Sequence, residues 1–485
     1  MSMLWTAEQM IAAMGGRPIG RMPEGVTGIS IDTRSLAPGD AFFAIKGERT
    51  DGHNFATAAM AAGAGLMIVA EGRLSGLGRV TTPMIVVDDV LKALEELGVA
   101  ARARSKAKIV AVTGSAGKTT TKEALRLVLS RFGKVHAAER SFNNHWGVPL
   151  TLARMPQDTD YAIYEIGMNH PGEIRPLVKL VRPHVAVVTL IAAAHLGHFA
   201  SLDDIARAKA EIFEGIVPGG HALVNRDDHR WRILDKLAKE AGVKNVVGFG
   251  AHSRAQVKLL ECVLAADHSI IRVRVAGAEI EARVGAPGRH MVQNALAVLG
   301  AAHLVGVDAA KAAEALADLR AERGRGARHL LAAGEGHILL IDESYNANPA
   351  SMKAALDLLS GSEIGDGGRR IAVLGDMLEL GSHSAKLHAA LAAPLAEAKV
   401  DQVFLAGAEM VALRDALADA LPVEHRAKAE DIAPLVQATL KGGDVVMLKS
   451  SNGMGFSRIV DALIKAYPPL PPDSGADQTI TGGTA

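Results

Sequence analysis

The sequence is poor in cysteine, in aromatic residues and in long apolar runs. Cys262 is the single cysteine among 485 residues, so the chain can form neither an internal disulfide nor a cysteine-based zinc site. Any bound metal must therefore be held by oxygen and nitrogen ligands. Aromatic residues make up 4% of the chain, and the apolar residues are mostly Ala, Val, Leu and Ile. This composition favours helices packed on sheets over an aromatic-rich β-sandwich.

No charge of one sign dominates, because 53 basic residues balance 53 acidic ones. This balance argues against a polybasic protein that binds nucleic acid or a membrane surface. The longest apolar run, VAVVTLIAAA at residues 185–194, is well short of the ~20 residues that span a bilayer. The N-terminal MSMLWTAEQMIAAMGG has no basic region and contains Glu8, unlike a signal peptide. We therefore expect a cytoplasmic protein with no membrane span and no nucleic-acid partner.

The length predicts about three domains. Residues 1–104 alternate short strand and helix patterns, residues 105–322 contain longer strand–helix units, and residues 323–467 repeat the alternation after a Gly/Arg-rich stretch. Residues 468–485 are rich in Pro, Gly and polar residues and are predicted to be a disordered tail. The predicted fold class is α/β: a small N-terminal α/β domain, a central P-loop domain with a parallel sheet, and a C-terminal Rossmann-like doubly wound domain.

Several elements are predicted individually. VTGISIDTR is predicted to be one strand, and KTTTKEALRLVLSRFG one helix that ends at Gly133. Residues 257–285 alternate apolar and polar side chains, which indicates a small antiparallel part of the central sheet.

The most specific motif is VTGSAGKTTTK, between a buried strand and a helix. Glycines let backbone N–H groups surround a phosphate, and the helix N-terminus adds partial positive charge. Lys118 can reach terminal phosphates and Thr119 can bind magnesium. A strict Walker A motif needs Gly where Val112 stands, so this is a shortened variant. A glycine-rich turn that binds nothing is the alternative, but the strand, the glycines, GKT and the helix start coincide here.

Three more side chains lie near predicted strand ends or in the helix that follows. Ligands of open α/β sheets bind at the carboxyl ends of the strands. Glu165 lies near such a strand end and could be either a magnesium ligand or a solvated carboxylate. His195 follows another buried strand. Lys209, considered alone, is a solvated helix residue.

The last third has polar turns at two predicted strand ends. Asp342, Tyr345, Asn346 and Asn348 stand at a strand-to-helix turn, where a helix N-cap explains Asn348 without a ligand. Lys449 lies in LKSSNGMG at another strand end, and Arg325 lies near an interdomain hinge. The residues thus favour a nucleoside-triphosphate site with magnesium between flanking domains, and leave the phosphoryl acceptor open.

The order of these motifs resembles the Mur ligase family up to about residue 466. The resemblance is carried by DTRSLAPGDAFFAIKG, TGSAGKTTTKE, FNNHWGVPLTL, EIGMNHPGEI, AHLGHF, AKAEIF, GRHMVQNALA, DESYNANPASMKAAL, GDMLELG and LKSSNGMG. Within the family, YNANP and NNHWGVP are typical of the member that extends a muramyl tripeptide.

The resemblance implies an ATP-dependent ligase of peptidoglycan precursor synthesis. ATP converts the carboxylate of UDP-N-acetylmuramoyl-tripeptide to an acyl phosphate, and the amine of D-alanyl-D-alanine displaces inorganic phosphate. These two small molecules would be its partners, and a monomer is expected. Domain closure is expected to seal the nucleotide from water.

The resemblance also assigns residues. Two magnesium ions are implied, one on Thr119 and Glu165 and one on His195 and Lys209, with Lys209 carbamylated; Lys118, Lys209 and His195 would be catalytic. The implied ATP contacts are Gly114, Ser115, Ala116, Gly117, Lys118, Thr119, Thr120, Asn294, Arg325 and Asp342. The implied substrate contacts are Ser30, Asp32, Thr33 and Arg34 for the UDP-sugar, Asn143 and Asn144 for the peptide, and Tyr345, Asn346, Asn348 and Lys449 for the dipeptide.

Two positions depart from the family pattern. Gly197 stands where relatives often have an acidic residue, and Asn452 stands where many have Arg. The alternatives are a tripeptide-forming Mur ligase, for which a DNPR-like segment would replace YNANP, and a folylpolyglutamate synthase, which would lack the first ~100 residues. A P-loop switch ATPase and a non-catalytic nucleotide-binding module belong to other classes.

Overall fold

The computed structural model of the protein describes residues 3–48, 50–139, 141–194, 196–334, 336–417 and 420–470. Within these ranges the chain forms three successive α/β domains, each around its own sheet. The predicted fold class is therefore confirmed.

The N-terminal domain is built on short strands. Its strands are β1 (Trp5–Thr6), β2 (Arg17–Ile19), β3 (Gly25–Val26), β4 (Ile29–Ser30), β5 (Ala41–Phe43), β6 (Leu66–Ala70) and β7 (Met84–Val87). Its helices are α1 (Ala7–Met14), α2 (Ala56–Ala61) and α3 (Val90–Arg104). The main sheet has the order β2–β7–β6–β5–β4 and is parallel except at β2.

The predicted single strand VTGISIDTR is wrong. Its residues divide between β3, which pairs with β1, and β4, which pairs with β5 in the other sheet. Gly28 lies at the break, where an added Cβ would stand 2.4 Å from Asp40 Oδ1. Close packing at this glycine thus accompanies the change of sheet.

The central domain carries the long parallel sheet. Its strands are β8 (Lys108–Thr113), β9 (Val135–Ala137), β10 (Tyr161–Glu165), β11 (Val185–Val188), β12 (His221–Asn225), β13 (Asn245–Gly250), β14 (Val257–Leu264), β15 (Ser269–Val275) and β16 (Ala278–Val284). Its helices are α4 (Lys118–Leu129), α5 (Gly147–Ala153), α6 (Ile174–Val181), α7 (Leu202–Ala210), α8 (Trp231–Glu240), α9 (Arg289–Leu304) and α10 (Ala309–Ala315). The order is β16–β15–β14–β13–β12–β11–β8–β10–β9, antiparallel only within β14–β16, where period-two alternation predicts it.

Both faces of this sheet are covered by helices. Val110 and Val112 pack with α4 and α9 on one face, whereas Ile109 and Ala111 pack towards α5 and α6 on the other. A strand buried on both faces explains the uninterrupted apolar run of β8. The helix predicted to reach Gly133 ends instead at Leu129, because the N–H groups of Arg131 and Phe132 bond to carbonyls only three residues back, as in a 3₁₀ turn.

The C-terminal domain is doubly wound. Its strands are β17 (Ala327–Ala333), β18 (Gly336–Glu343), β19 (Arg370–Gly375), β20 (Gln402–Ala406), β21 (Val423–Arg426) and β22 (Val445–Lys449). Its helices are α11 (Pro349–Ser360), α12 (Ser384–Ala389), α13 (Ala392–Glu397), α14 (Val411–Leu417), α15 (Ala429–Thr439) and α16 (Phe456–Ala466). The order is β17–β18–β22–β19–β20–β21, with only β17 antiparallel, and apolar clusters cover both faces.

The chain stays ordered slightly beyond the predicted third domain. The N–H of Ala332 donates to Pro468 O, and the N–H of Leu470 donates to Leu330 O, so residues 468–470 run along β17. The predicted disordered tail therefore does not begin at Pro468. Residues 471–485 lie outside the described residues.

The first two domains are docked through α3 and α5. Leu94 and Leu97 of α3 share an apolar cluster with Leu150 of α5. Trp5 Nε1 donates to Ala153 O at 2.8 Å, and Arg154 Nε donates to Ile29 O at 2.7 Å. Buried packing and hydrogen bonds thus fix the relative position of the two domains. No helix among the described residues is long and apolar enough to span a bilayer.

Candidate active site

Two glycines give the loop between β8 and α4 its shape. An added Cβ on Gly114 (φ 155°) would stand 1.9 Å from Thr189 Oγ1. At Gly117 (φ 83°), the residue before α4, it would stand 2.5 Å from Asn294 Oδ1. The loop therefore packs against the residue after β11 and against α9 at points where a side chain has no room.

Hydrogen bonds from the segment after β11 hold this loop in place. The N–H of Ser115 donates to Leu190 O at 2.7 Å, and Ser115 Oγ both donates to Ala192 O and accepts from its N–H at 3.0 Å. Thr189 Oγ1 donates to Ala116 O at 2.6 Å. The phosphate loop is thus preorganised by protein contacts alone.

Lys118 is the first residue of α4 and points back over the loop. Its Nζ donates to Gly114 O at 2.7 Å. Burial lowers the pKa of its ammonium; the Glu165 carboxylate acts in the opposite direction, and the Arg325 guanidinium lowers it further. An anionic ligand in the cleft would favour the charged form of Lys118.

Glu165 is buried and hydrogen-bonded, which excludes the alternative of a solvated carboxylate. It is 3% exposed at the end of β10. Its Oε2 accepts from Thr119 Oγ1 at 2.8 Å, and its Oε1 accepts from Asn143 Nδ2 at 2.7 Å. Ser141 Oγ lies 3.4 Å from Thr119 Oγ1. A hydroxyl and a carboxylate thus meet beside the phosphate loop, as a hard cation requires.

Lys209, on α7, is also buried, which excludes the interpretation as a solvated helix residue. It is 1% exposed, and its pKa is lowered well below the ordinary value, first by burial and then by the nearby charge of Lys118. Among the described residues its ammonium has no hydrogen-bond or ion-pair partner. A buried unpaired cation is costly, so the neutral amine is favoured. The predicted ligand His195 lies outside the described residues.

A cleft of about 420 Å³ lies between the central and C-terminal domains. It brings together most of the predicted site residues: Ser115, Ala116, Gly117, Lys118, Thr119, Thr120, Asn143, Glu165, Asn294, Arg325, Tyr345, Asn346, Asn348 and Lys449. The predicted residues Gly114, Asn144, Lys209 and Asp342 are not among its lining residues.

Two predicted ligand-contact residues are hydrogen-bonded within the protein. Asp342 is fully buried, and its carboxylate accepts from the N–H of Gly324 at 2.8 Å and from Ser344 Oγ at 2.6 Å. Asn144 Oδ1 accepts from the N–H of Gly147 in the first turn of α5. The Asp342 carboxylate and Asn144 Oδ1 thus stabilise the conformation of neighbouring residues of the site.

Lys449 lines the cleft but is already paired. Its Nζ donates to Glu343 Oε2 at 2.9 Å and to Asn346 O at 3.0 Å, and its side chain is 2% exposed. Its charge therefore fixes the YNANP turn and is not free for a ligand in this arrangement.

Polar contacts bring the C-terminal domain onto the phosphate loop. Asn348 caps α11 as predicted, accepting from the N–H of Ser351 at 2.9 Å. Its Nδ2 also donates to Ser115 O at 3.4 Å, a contact between domains. Within the C-terminal domain, the Arg325 guanidinium lies 4.1 Å from the centre of the Tyr345 ring, a cation–π contact.

A second and larger cleft, about 1490 Å³, lies where the N-terminal and central domains meet. The predicted UDP-sugar residues Ser30, Asp32 and Arg34 line it, whereas Thr33 does not. Trp5, Phe142 and Trp146 also line it, and were not predicted as site residues. The FNNHWGVP motif contains Phe142 and Trp146, so its aromatic residues were the available signal.

Other residues of the first cleft were also missed. Ser141 and Thr189 line it, and their hydroxyls contact Thr119 and the loop carbonyls. His290 and Glu343 line it from α9 and β18. Ser141 and Glu343 stand within two positions of a predicted residue, and His290 lies in the GRHMVQNALA motif. The signal for Thr189 was its place directly after the buried strand β11.

Among the described residues, no group of three or more His, Cys, Asp or Glu side chains could hold a metal ion. Magnesium commonly takes only one or two protein carboxylates and completes its shell with water and phosphate oxygens. The Thr119–Glu165 pair fits such an ion.

We expect Thr119→Val to weaken magnesium-dependent nucleotide binding at least roughly 10-fold, because the hydroxyl that would bind the ion is lost and loss of even an outer partner of a metal site costs that much. Calorimetry with ADP, with and without magnesium, measures this. Thr81→Val, at an exposed site far from the loop, is the matched control. Equal magnesium dependence in both variants would contradict the assignment.

Comparison with known proteins covers nearly the whole chain. Family models match in order: "Mur ligase family, catalytic domain" at residues 25–102, "Mur ligase middle domain" at 112–302, and "Mur ligase, glutamate ligase domain" at 324–452. The chain is 34% identical over 440 residues to UDP-N-acetylmuramoyl-tripeptide–D-alanyl-D-alanine ligase of Escherichia coli (strain K12), covering 90% of this chain and 93% of that protein.

Solved structures agree along the whole fold. Crystal structure I of MurF from Acinetobacter baumannii superposes with a TM-score of 0.82 at 32% identity, covering 95% of this chain and 99% of that one. MurF ligase from Thermotoga maritima in complex with ADP gives 0.75 at 25% identity, covering 91% and 98%. With the same three domains in the same order, this chain belongs to the Mur ligase family.

Proposed function

We propose that the chain joins D-alanyl-D-alanine to UDP-N-acetylmuramoyl-tripeptide with ATP, through an acyl phosphate. The observation that carries this proposal is the cleft shared by the phosphate loop and the YNANP turn. The E. coli and A. baumannii relatives, similar over their full length, bear names of this activity or of MurF.

The chemistry requires a carboxylate to become a good acyl donor. Transfer of the γ-phosphoryl group to the tripeptide carboxylate releases ADP. Attack by the dipeptide amine then forms the amide and expels phosphate with its bridging oxygen. The protein's task is mainly positioning and charge neutralisation.

The phosphate loop positions the phosphate groups and neutralises part of their charge. Backbone groups at residues 114–118 and the N-terminus of α4 favour an anion, and Lys118 adds a charge adjacent to them. Phosphate binding in place of the Gly114 carbonyl would give Lys118 Nζ a stronger, charged partner.

The donors present fit magnesium on Thr119 and Glu165. Magnesium, when bound, neutralises phosphate charge during transfer. Asn143 holds the second oxygen of Glu165 and so orients this carboxylate towards Thr119. Asn143 therefore acts as an orienting residue in addition to its proposed place near the peptide.

A second ion on Lys209 and His195 depends on carbamylation of Lys209. A neutral buried amine can add carbon dioxide, forming an N-carboxylate and releasing a proton. This change replaces a buried neutral amine with an anionic oxygen donor. The lowered pKa and missing partner of Lys209 support the carbamate.

Residues of the C-terminal domain complete the proposed nucleotide site in the smaller cleft. Asp342 holds the N–H of Gly324, the residue before Arg325, so it acts on ATP through the position of that guanidinium. Asn294 lies against Gly117 at the other side of the loop. Tyr345, Asn346 and Asn348 line the same cleft and are our proposed dipeptide contacts, with Lys449 holding their turn.

The larger cleft fits the UDP-sugar. The partly exposed rings of Phe142 and Trp146 line it together with Ser30, Asp32 and the basic side chain of Arg154. Such a wall accommodates a nucleobase, and the polar groups suit a sugar and a diphosphate. Both substrates and ATP are small molecules of the cytoplasm, where we place the reaction, and we expect the chain to act as a monomer.

Phosphate release measured with the purified chain tests the function. We expect release only when ATP, magnesium, UDP-N-acetylmuramoyl-tripeptide and D-alanyl-D-alanine are all present. Hydrolysis indifferent to both cell-wall substrates would favour a P-loop switch ATPase. Nucleotide binding without turnover would favour a non-catalytic module.

Carbamylation has its own test. We expect Lys209→Ala to lose most ligase activity, since one donor to the second ion is removed, and added short carboxylates such as acetate to restore part of it. Lys236→Ala, an exposed lysine on α8, is the matched control and should be unaffected. Full activity of Lys209→Ala, or a loss that acetate does not restore, would overturn the carbamate.

A further inference from the structure

A loop of the central domain contacts a segment of the C-terminal domain, here called the arm, through a backbone hydrogen bond. The central loop is the short 3₁₀ turn Leu196–His198, and the arm is the GDMLELG segment at residues 375–381. The N–H of Gly197 donates to Glu379 O at 2.9 Å. This bond joins the two domains directly.

Glycines on both sides permit the contact. An added Cβ on Gly381 would stand 2.9 Å from Gly197 Cα. One on Gly197 would stand 3.3 Å from Glu379 O and 3.4 Å from Gly381 N. The two backbones therefore meet with no space for a side chain.

The arm is fixed to its own domain on several sides. Asp376 Oδ1 accepts from the N–H of Met410 at 3.0 Å, the N–H of Met377 donates to His388 Nε2 at 2.9 Å, and the N–H of Leu378 donates to Ser451 Oγ at 2.9 Å. Glu379 then takes a left-handed conformation (φ 65°), which is unfavourable for a residue with a side chain. The surrounding bonds hold this strained residue with its carbonyl towards Gly197.

The central loop is connected to the phosphate loop. Leu190 and Ala192, which hold Ser115, precede Gly197 by a few residues. Asn348 of the C-terminal domain reaches the same Ser115 from the other side. Two separate contacts thus relate the C-terminal domain to one stretch of the phosphate loop.

We propose that the Gly197–Glu379 contact is a latch that positions the C-terminal domain over the nucleotide. Gly197 is then a positioning residue for the ligase reaction, acting through Arg325 and Asn348, which the closed domain brings to the cleft. This inference rests on the proposed function for its substrates, but the latch itself is a property of domain arrangement.

Gly197→Val tests the latch, because its branched side chain would stand against the Glu379 carbonyl. We expect the KM values for ATP and D-alanyl-D-alanine to rise at least about fivefold, as for coupling between distinct sites. The dissociation constant for UDP-N-acetylmuramoyl-tripeptide should not change, since its cleft lies between the other two domains. Small-angle scattering with ADP and substrates should show a larger radius than for the unmodified chain.

Gly76→Val is the matched control, because a Cβ there meets nothing within 4 Å and its φ is not positive. Gly197→Ala requires the neighbouring backbone to move by only a few tenths of an ångström, so it should give an intermediate effect. This variant remains informative if the valine variant does not fold. Unchanged scattering and unchanged KM values in both Gly197 variants would overturn the latch. If the unmodified chain shows no ligase activity, the proposed function fails, while scattering still tests the latch.

Discussion

The lack of room beside Gly114 and Gly117 is the constraint on which the rest of the site depends. Gly114 packs on Thr189 after β11, and Gly117 packs on Asn294 of α9, so three parts of the central domain converge on one loop. Because α4 begins directly after Gly117, Lys118 and Thr119 are delivered to the same edge of the sheet as Glu165. A side chain at either glycine would separate these groups, and the metal and phosphate chemistry would have no common place.

The sequence predicts this edge well because parallel strands bring their carboxyl ends together whatever their side-chain partners are. Glu165 and the phosphate loop were found in this way, and Lys209 by resemblance. The hydrogen-bond partners of individual side chains could not be predicted, because they depend on the folded chain around each motif. Asp342 and Asn144 look like ligand residues in a motif, yet their oxygens bind backbone N–H groups of Gly324 and Gly147. The aromatic residues Phe142 and Trp146 were missed because the cleft that they line forms only when two domains dock.

The interface of the C-terminal domain with the phosphate loop is polar and small. Asn348 Nδ2 on Ser115 O and Gly197 N–H on Glu379 O are individual hydrogen bonds rather than a broad apolar surface. Such an interface suits a domain that must open for substrates and close before an acyl phosphate, which water would destroy, is formed. By contrast, α3 and α5 bury apolar side chains between the first two domains, so apolar packing holds the two sides of the larger cleft together.

The central claim is that the phosphate loop directs the γ-phosphoryl group to the tripeptide carboxylate before any amide forms. The most direct test uses UDP-N-acetylmuramoyl-tripeptide labelled with ¹⁸O in that carboxylate, with mass spectrometry of the phosphate released in one round of reaction. The acyl phosphate predicts that one ¹⁸O atom leaves with each phosphate as the amide is made. Release of unlabelled phosphate together with amide formation would contradict it.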